Sequence, residues 1–485
     1  NEHQERSENS KVLPSYSDMI KQLFFSSLPV LLSMFLLFID RSVIIYFLSK
    51  ADASATITSA YSVANSVFMM LILSLVNALN TGLNSRCAQA YGAKNYELVG
   101  LLFHRGLLIN ISFMIPCLLP VLYAEPILMY IGTEDEVVHY AAGYVLYSVP
   151  SIIGIVIFFT LVSVLNACRQ FMILGIATSA NAIMFLIMAS VFVGVLDGKI
   201  VGAAMASNLN FIFNIFLIIF LLRRKNPLPG VFFWPKKESF QEIWTLLKYE
   251  ILVGSMTWCD AVAQEVISIL SARLPKNQLA GYTIGGTIYS LITTVTMGIS
   301  SVAVTYVGNS MGENNPTKAK KYLKSCLILA AGLLIFLEVI GFFAKGIFIG
   351  IFVSPDSPVF EYSVLVFNLY MIKLPFDSFN SPLRSCVKAT ANEKKGVLVT
   401  FLCDYLVLVP SGWLLAGYLD LGVTGLISSI TLRSVATLIG FAVIFLYCDW
   451  GKQALLVKKA IKEYETKKQV EDPKLSQVEE HSLIL

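Results

Sequence analysis

The sequence predicts an all-α polytopic membrane protein with twelve transmembrane helices in two pseudo-symmetric six-helix lobes. Three observations carry this. The 485 residues are 56% hydrophobic and only 14% charged, against roughly 45–50% and about 25% in soluble domains. Runs of about 20 apolar residues recur along nearly the whole chain, each able to cross a hydrocarbon core about 30 Å thick, whereas barrel strands would be alternating segments of about ten residues. Two pairs of loops also match each other at a near-constant offset, as duplicated halves would.

Taken in order, residues 1–21 read as a polar cytoplasmic segment without the basic start, apolar centre and cleavage site of a signal peptide, so span one directs insertion. The first lobe, 22–222, holds spans near 23–48, 59–83, 98–123, 138–164, 171–196 and 200–222. A basic, proline-containing linker follows at 223–245, beginning RRKNPLPG. The second lobe, 246–447, holds spans near 246–271, 278–303, 321–346, 360–387, 396–418 and 423–447. The tail, 448–485, first alternates apolar and basic positions and then turns polar. It reads either as a helix on an anionic leaflet, where each basic residue contributes about 1 kcal/mol, or as a solvated helix followed by disorder.

Cytoplasmic loops carry the excess of Lys and Arg. With the N-terminus inside, the inner loops hold fifteen such residues and the outer loops only four, Lys50, Lys199, Arg273 and Lys276. Both termini are therefore expected in the cytoplasm. The loops also carry the repeat. AQAYGAKNYELVG at 88–100 and GNSMGENNPTKAK at 308–320 pair Gly92 with Gly312 and Asn95 with Asn315; VLDGKIVGAA at 195–204 and YLDLGVTGLI at 418–427 pair Gly202 with Gly425. Six plus six spans give parallel repeats, as in some secondary transporters.

Ionisable residues inside spans are costly and mark pathways or relays. Asp260 and Glu265 lie within span seven. Five helical residues turn about 500°, which leaves them about 140° apart and about 7.5 Å apart along the axis, so they share no face of a straight helix. Span ten contributes Lys373, Asp377 and Arg384, interrupted by Pro375 and Pro382. Lys373 and Asp377 are spaced to pair, as a buried salt bridge or as part of a site. Asp40 and Arg41 in span one and Arg433 in span twelve are further candidates. A carboxyl group in low dielectric favours its neutral form, and an organic cation in the same cavity favours the ionised one, so proton and cation compete. Competition at one site is sufficient for antiport.

No phosphate-cradling loop, zinc-ligand spacing or nucleophile with a base is present, so an enzyme is not predicted, nor any cofactor or metal. The eight cysteines are scattered singly and read as buried, reduced hydrophobes. The net charge of +4 gives no reason to expect a nucleic-acid partner. The expected partners are the lipid bilayer, a small organic compound and H⁺, with Na⁺ as an alternative, acting on a monomer.

These residues resemble the multidrug and toxic compound extrusion (MATE) family, its eukaryotic branch in particular, over nearly all of residues 20 to 447. The marks are AQAYGAKNYELVGLLFHRG at 88–106, TYVGNSMGENNPTKAK at 305–320, WCDAVAQEVISILSARLP at 258–275 and KATANEKKG at 388–396. By this resemblance Asp260 and Glu265 fall on the two acidic positions of span seven, and Asp377 on an acidic position of span ten. It implies two lobes about a central cleft, rocking to export organic compounds in exchange for H⁺ or Na⁺, mostly H⁺ in that branch. The sequence departs from the pattern at Ala261, Val262 and Gln264, where the family has aromatics, and at Thr287, acidic in some members. YFLSK replaces a Gly-His-Leu-Gly-like turn after span one, so the resemblance gives Asp40 no role. The expectation is a proton-coupled efflux antiporter in a plasma or vacuolar-type membrane, with Glu265, Asp260 and Asp377 as the proton and cation site. A flippase for a lipid-linked or anionic substrate, using Arg41, Lys373, Arg384 and Arg433, is the alternative, and a non-transporting receptor a second one.

Overall fold

The computed structural model describes residues 13–51, 56–131 and 135–471, with the side chains of 38–41, 51, 131 and 464–471 outside the description. Asp40 and Arg41 therefore lie on a described helical backbone, but their side chains fall outside the described residues.

The described residues fold into helices, with no strand among them. They are α1 (Tyr16–Ala51), α2 (Thr56–Gly92), α3 (Tyr96–Leu122), α4 (Ala124–Ile131), α5 (Asp135–Tyr147), α6 (Val149–Ala167), α7 (Phe171–Val195) and α8 (Lys199–Lys225). After an irregular stretch come α9 (Ile243–Ser271), α10 (Lys276–Gly312), α11 (Pro316–Gly350), α12 (Pro358–Ala389), α13 (Glu393–Tyr418), α14 (Gly422–Leu446) and α15 (Trp450–Glu471). Eleven of these helices are long and apolar enough to cross a membrane. The twelfth span is α9, whose 29 residues suffice in length and whose Lys248, Glu250, Asp260 and Glu265 lower its apolarity.

Two local features depart from the span reading. The fourth span is not one helix but α5 and α6, broken at Ser148. Pro150 has no N–H to donate, and its ring would clash with the carbonyl four residues back in a continuous helix. Several helices also outlast the apolar runs: α2 covers 37 residues where about 20 suffice to span, because its polar end, NTGLNSRCAQAYG, stays helical.

The chain divides into two compact units, each with its own core. The amino-terminal unit is built mainly of Leu32–Val262 with Gly312–Asn314; the carboxy-terminal unit takes the segment before Leu32 together with Ala263–Met311 and Asn315–Gln453. Ile44, Tyr61, Ile72, Tyr144 and Ile155 lie in the core of the first. Tyr289, Val366, Phe367, Tyr370 and Ile427 form one core cluster of the second, and Ala263, Ile267, Leu408 and Leu426 belong to another.

The matched loops have matching geometry. Asn95 and Asn315 each cap the following helix, accepting from the N–H of Leu98 at 2.9 Å and of Lys318 at 3.0 Å. The residue before each, Lys94 or Asn314, is left-handed at φ 60° or 54°. In the other pair, α7 and α13 both end in a π turn, Ser190–Val195 and Trp413–Tyr418. Asp197 and Asp420 then adopt φ 47° and 49°. A Cβ added to Gly202 or Gly425 would collide with the carbonyl of Phe192 or Leu415. These four positions are where duplication leaves a backbone rather than merely a compositional signature.

Candidate functional site

Asp377 is the centre of the site in the carboxy-terminal unit. It lies on α12 between Pro375 and Pro382, prolines that free backbone carbonyls in mid-helix, as spans tolerate where neighbours restore the bonding. Three side chains from three helices converge on its carboxylate. From α10, the Tyr289 hydroxyl donates to Oδ2 at 2.6 Å. One turn earlier on α12, Lys373 Nζ donates to the same oxygen at 2.5 Å. From α14, the Ser434 hydroxyl donates to Oδ1 at 2.7 Å. Asp377 itself is half-buried, and drawing a carboxylate partly out of water is tolerable with such a set of donors and a counter-charge.

Lys373 is itself buried at 7% exposure. Its ammonium sits over the rings of Tyr289, at 4.9 Å, and Tyr370, at 5.9 Å. Those rings are stacked at 4.5 Å with an interplanar angle of 13°. The site is thus a carboxylate whose cation partner is supplied by the chain and shielded by aromatic faces. Any proton or external cation that takes Asp377 must compete with Lys373.

A second ion pair adjoins the first. Arg433, next to Ser434 on α14, donates from Nε to Asp404 Oδ1 at 2.7 Å. Asp404 is fully buried, and its Oδ2 has no hydrogen-bond partner. It sits on the π turn Cys403–Leu408 of α13, an inserted residue of the kind often found at functional sites. Arg384 on α12 lies within electrostatic reach of Asp404 and of Lys388.

Of the residues singled out from sequence, Asp377 and Lys373 are joined directly, and Arg433 lies on α14 one residue before Ser434, which donates to Asp377. Asp260 is half-buried and Glu265 exposed, both on α9, and no hydrogen bond or ion pair joins Glu265 to Asp377 among the described residues. Tyr289, Ser434 and Asp404 escaped the sequence reading. Asp404 carries the same signal as Asp377, a carboxylate inside an apolar span; Tyr289 and Ser434 carry none, since a hydroxyl in a span costs little and reveals nothing of its partner. Burial pushes the Cys168 thiol, in the turn after α6, up to about 12, so this cysteine is unreactive at neutral pH.

A multi-span helical protein with two compact units and a buried ionic cluster in one of them is a membrane-transporter architecture. The MatE family model matches residues 29–189 and again 256–414, and the chain belongs to this family of membrane transporters. The double match is a further mark of the repeat. The chain is 24% identical to Protein DETOXIFICATION 16 of Arabidopsis thaliana over 428 residues, 85% of either chain. It is 26% identical to Multidrug and toxin extrusion protein 1 of Rattus norvegicus over 450 residues, 90% of this chain and 77% of that one. The fold is similar to that of the eukaryotic MATE transporter AtDTX14, with a TM-score of 0.84 at 21% identity, covering 92% of this chain and 99% of the other. It is also similar to the Vibrio cholerae MATE transporter VcmN, with a TM-score of 0.80 at 16% identity, covering 90% and 99%.

Proposed function

We propose that this protein is a proton-coupled antiporter that exports a small organic cation from the cytoplasm, working as a monomer with Asp377, Glu265 and Asp260 as its proton and cation site. The observation that carries the reading is the Asp377 carboxylate held at the meeting of α10, α12 and α14 by Tyr289, Lys373 and Ser434. Protonation of Asp377 removes the charge that holds Lys373, and deprotonation restores it, so a single proton changes what the site can bind. Export of multiple drugs or toxins, named for the rat relative, is consistent with such a site. Alternating access would then come from the two lobes rocking between a protonated and a substrate-bound state.

The test is transport of a fluorescent organic cation in proteoliposomes, with a pH gradient and a Na⁺ gradient imposed separately. Exchange driven by the pH gradient alone is expected. Exchange driven by Na⁺ alone would replace H⁺ as the coupling ion, and a Glu265→Gln variant with undiminished exchange would remove Glu265 from the mechanism.

One observation favours a second reading, a flippase for a lipid-linked or anionic substrate. Lys373, Arg384, Lys388 and Arg433 outnumber Asp377 and Asp404 in the same pair of helices and their neighbour α13. Export of anionic lipid in preference to the organic cation in the same vesicles would select it.

A further inference from the structure

Among the described residues, the carboxy-terminal ionic cluster leaves one buried acid without a task. Glu250 lies on the first part of α9, in the amino-terminal unit, and is 0% exposed. Neither carboxyl oxygen has a hydrogen-bond partner. The residue is wedged where α9 crosses α2 at closest approach: a Cβ added to Gly82 would come within 2.7 Å of Glu250 Cα, and one added to Gly254 within 2.7 Å of the Ala78 carbonyl oxygen. The groups that face it are known. Cys87 lies within electrostatic reach, and Cys168 in turn adjoins Cys87. Tyr249, the preceding residue, hydrogen-bonds Ser85 at 3.0 Å.

One turn beyond Gly82 on the same face of α2 is Arg86, displaced by about 6 Å along the axis. Its guanidinium lies 3.7 Å from the Tyr249 ring centroid, and its Nη1 donates to Gln89 at 2.9 Å. Its Nε is buried without a hydrogen-bond partner, and no carboxylate pairs with it among the described residues. A buried carboxylate and a half-buried guanidinium whose Nε is buried thus stand on two touching helices, one turn out of register, neither with a counter-ion among the described residues. An ionised carboxylate with no donor and no counter-ion is strongly disfavoured, so Glu250 is held here as the neutral acid.

We propose that Glu250 is a second proton-binding site of this protein, in the unit that does not contain Asp377, and that Arg86 is the counter-ion it takes when the proton leaves. A slide of α9 along α2 by about one turn, a displacement known in other switching proteins, brings the two together. The Glu250 carboxyl then gives its proton to water and becomes a carboxylate paired with the guanidinium. Arg86 exchanges its place over Tyr249 for that pair. The use of this proton in export rests on the exchange proposed above; the site itself does not.

The experiment uses the full chain in lipid nanodiscs, without gradient or organic compound, so that its outcome is independent of the coupling ion. Infrared titration is expected to show a free carboxyl C=O band at neutral pH that fades on alkalinisation. The band should be missing from Glu250→Gln and kept in Asp377→Asn and Glu265→Gln. Over the same pH range Glu250→Gln should release about one proton fewer per chain than the unmodified protein. In Arg86→Met the band should persist to a pH higher by about one unit. Glu250→Asp, which keeps the acid, should keep a titrating band and guards against a folding defect in the Gln variant. A band that does not fade before the protein unfolds, or equal proton release from Glu250→Gln, overturns the proposal.

Discussion

Arg433 and Ser434 are neighbours on one helix and serve different carboxylates: Arg433 Nε donates to Asp404 at 2.7 Å, and Ser434 Oγ to Asp377 at 2.7 Å. A one-residue step around α14 therefore links α12 to α13 through two acids. The Asn380 amide, which donates to the Ser434 carbonyl at 2.7 Å, fastens the same stretch of α14 to α12. Changes at either acid are expected to be felt by the other.

Removing one member of the inner pair leaves a buried charge alone. Arg433→Met should destabilise the protein by about 3–5 kcal/mol, whereas Arg433→Met with Asp404→Leu should recover much of the loss. Thermal unfolding in detergent reads both; equal melting of the single variant and the unmodified protein would make the pair energetically idle.

Tyr289→Phe deletes one donor to Asp377 and keeps the ring beneath Lys373. A hydrogen bond to a charged group contributes about 1.5–3 kcal/mol, and this one favours the ionised carboxylate. Its loss makes protonation easier. The pH profile of exchange should move to higher pH, and a profile that stays in place or moves to lower pH would place the working proton elsewhere.

Lys373→Gln removes the built-in competitor for Asp377. Equilibrium binding of an organic cation should tighten by about tenfold, the equivalent of about 1.4 kcal/mol. Weaker cation binding together with loss of anionic-lipid binding would instead favour the flippase reading.

Gly312→Ala places a methyl group against the Gln89 carbonyl, which is backbone and has little room to yield. A loss of about 1–3 kcal/mol is expected from such overpacking. Gly332→Ala, with nothing within 4 Å of its Cβ, should be neutral or gain up to about 1 kcal/mol from helix propensity. Parallel thermal melts decide whether close approach, rather than loss of glycine as such, matters.

Much of the architecture is legible before any coordinates, because a span must be continuously apolar and the bilayer fixes its length. The loop matches at Asn95 and Asn315 are legible for a related reason: a helix cap needs a particular side chain at a particular backbone position. The break at Ser148 is not legible in the sequence, because the residues on both sides are apolar and hydropathy does not weigh one proline. At the site, the Lys373–Asp377 spacing already suggested contact, being one helical turn. The convergence of Tyr289 and Ser434 could not be read, since it depends on which helices pack together. Glu250 lies close to a basic linker, where a charged residue is ordinarily solvated, and only packing against Gly82 reveals its isolation.

The twin asparagine caps say something about ancestry. Six is an even number, so a chain that has crossed six times is back on the side where it began, and a second copy enters with the polarity of the first. Head-to-tail fusion of a half-length gene thus required no inversion.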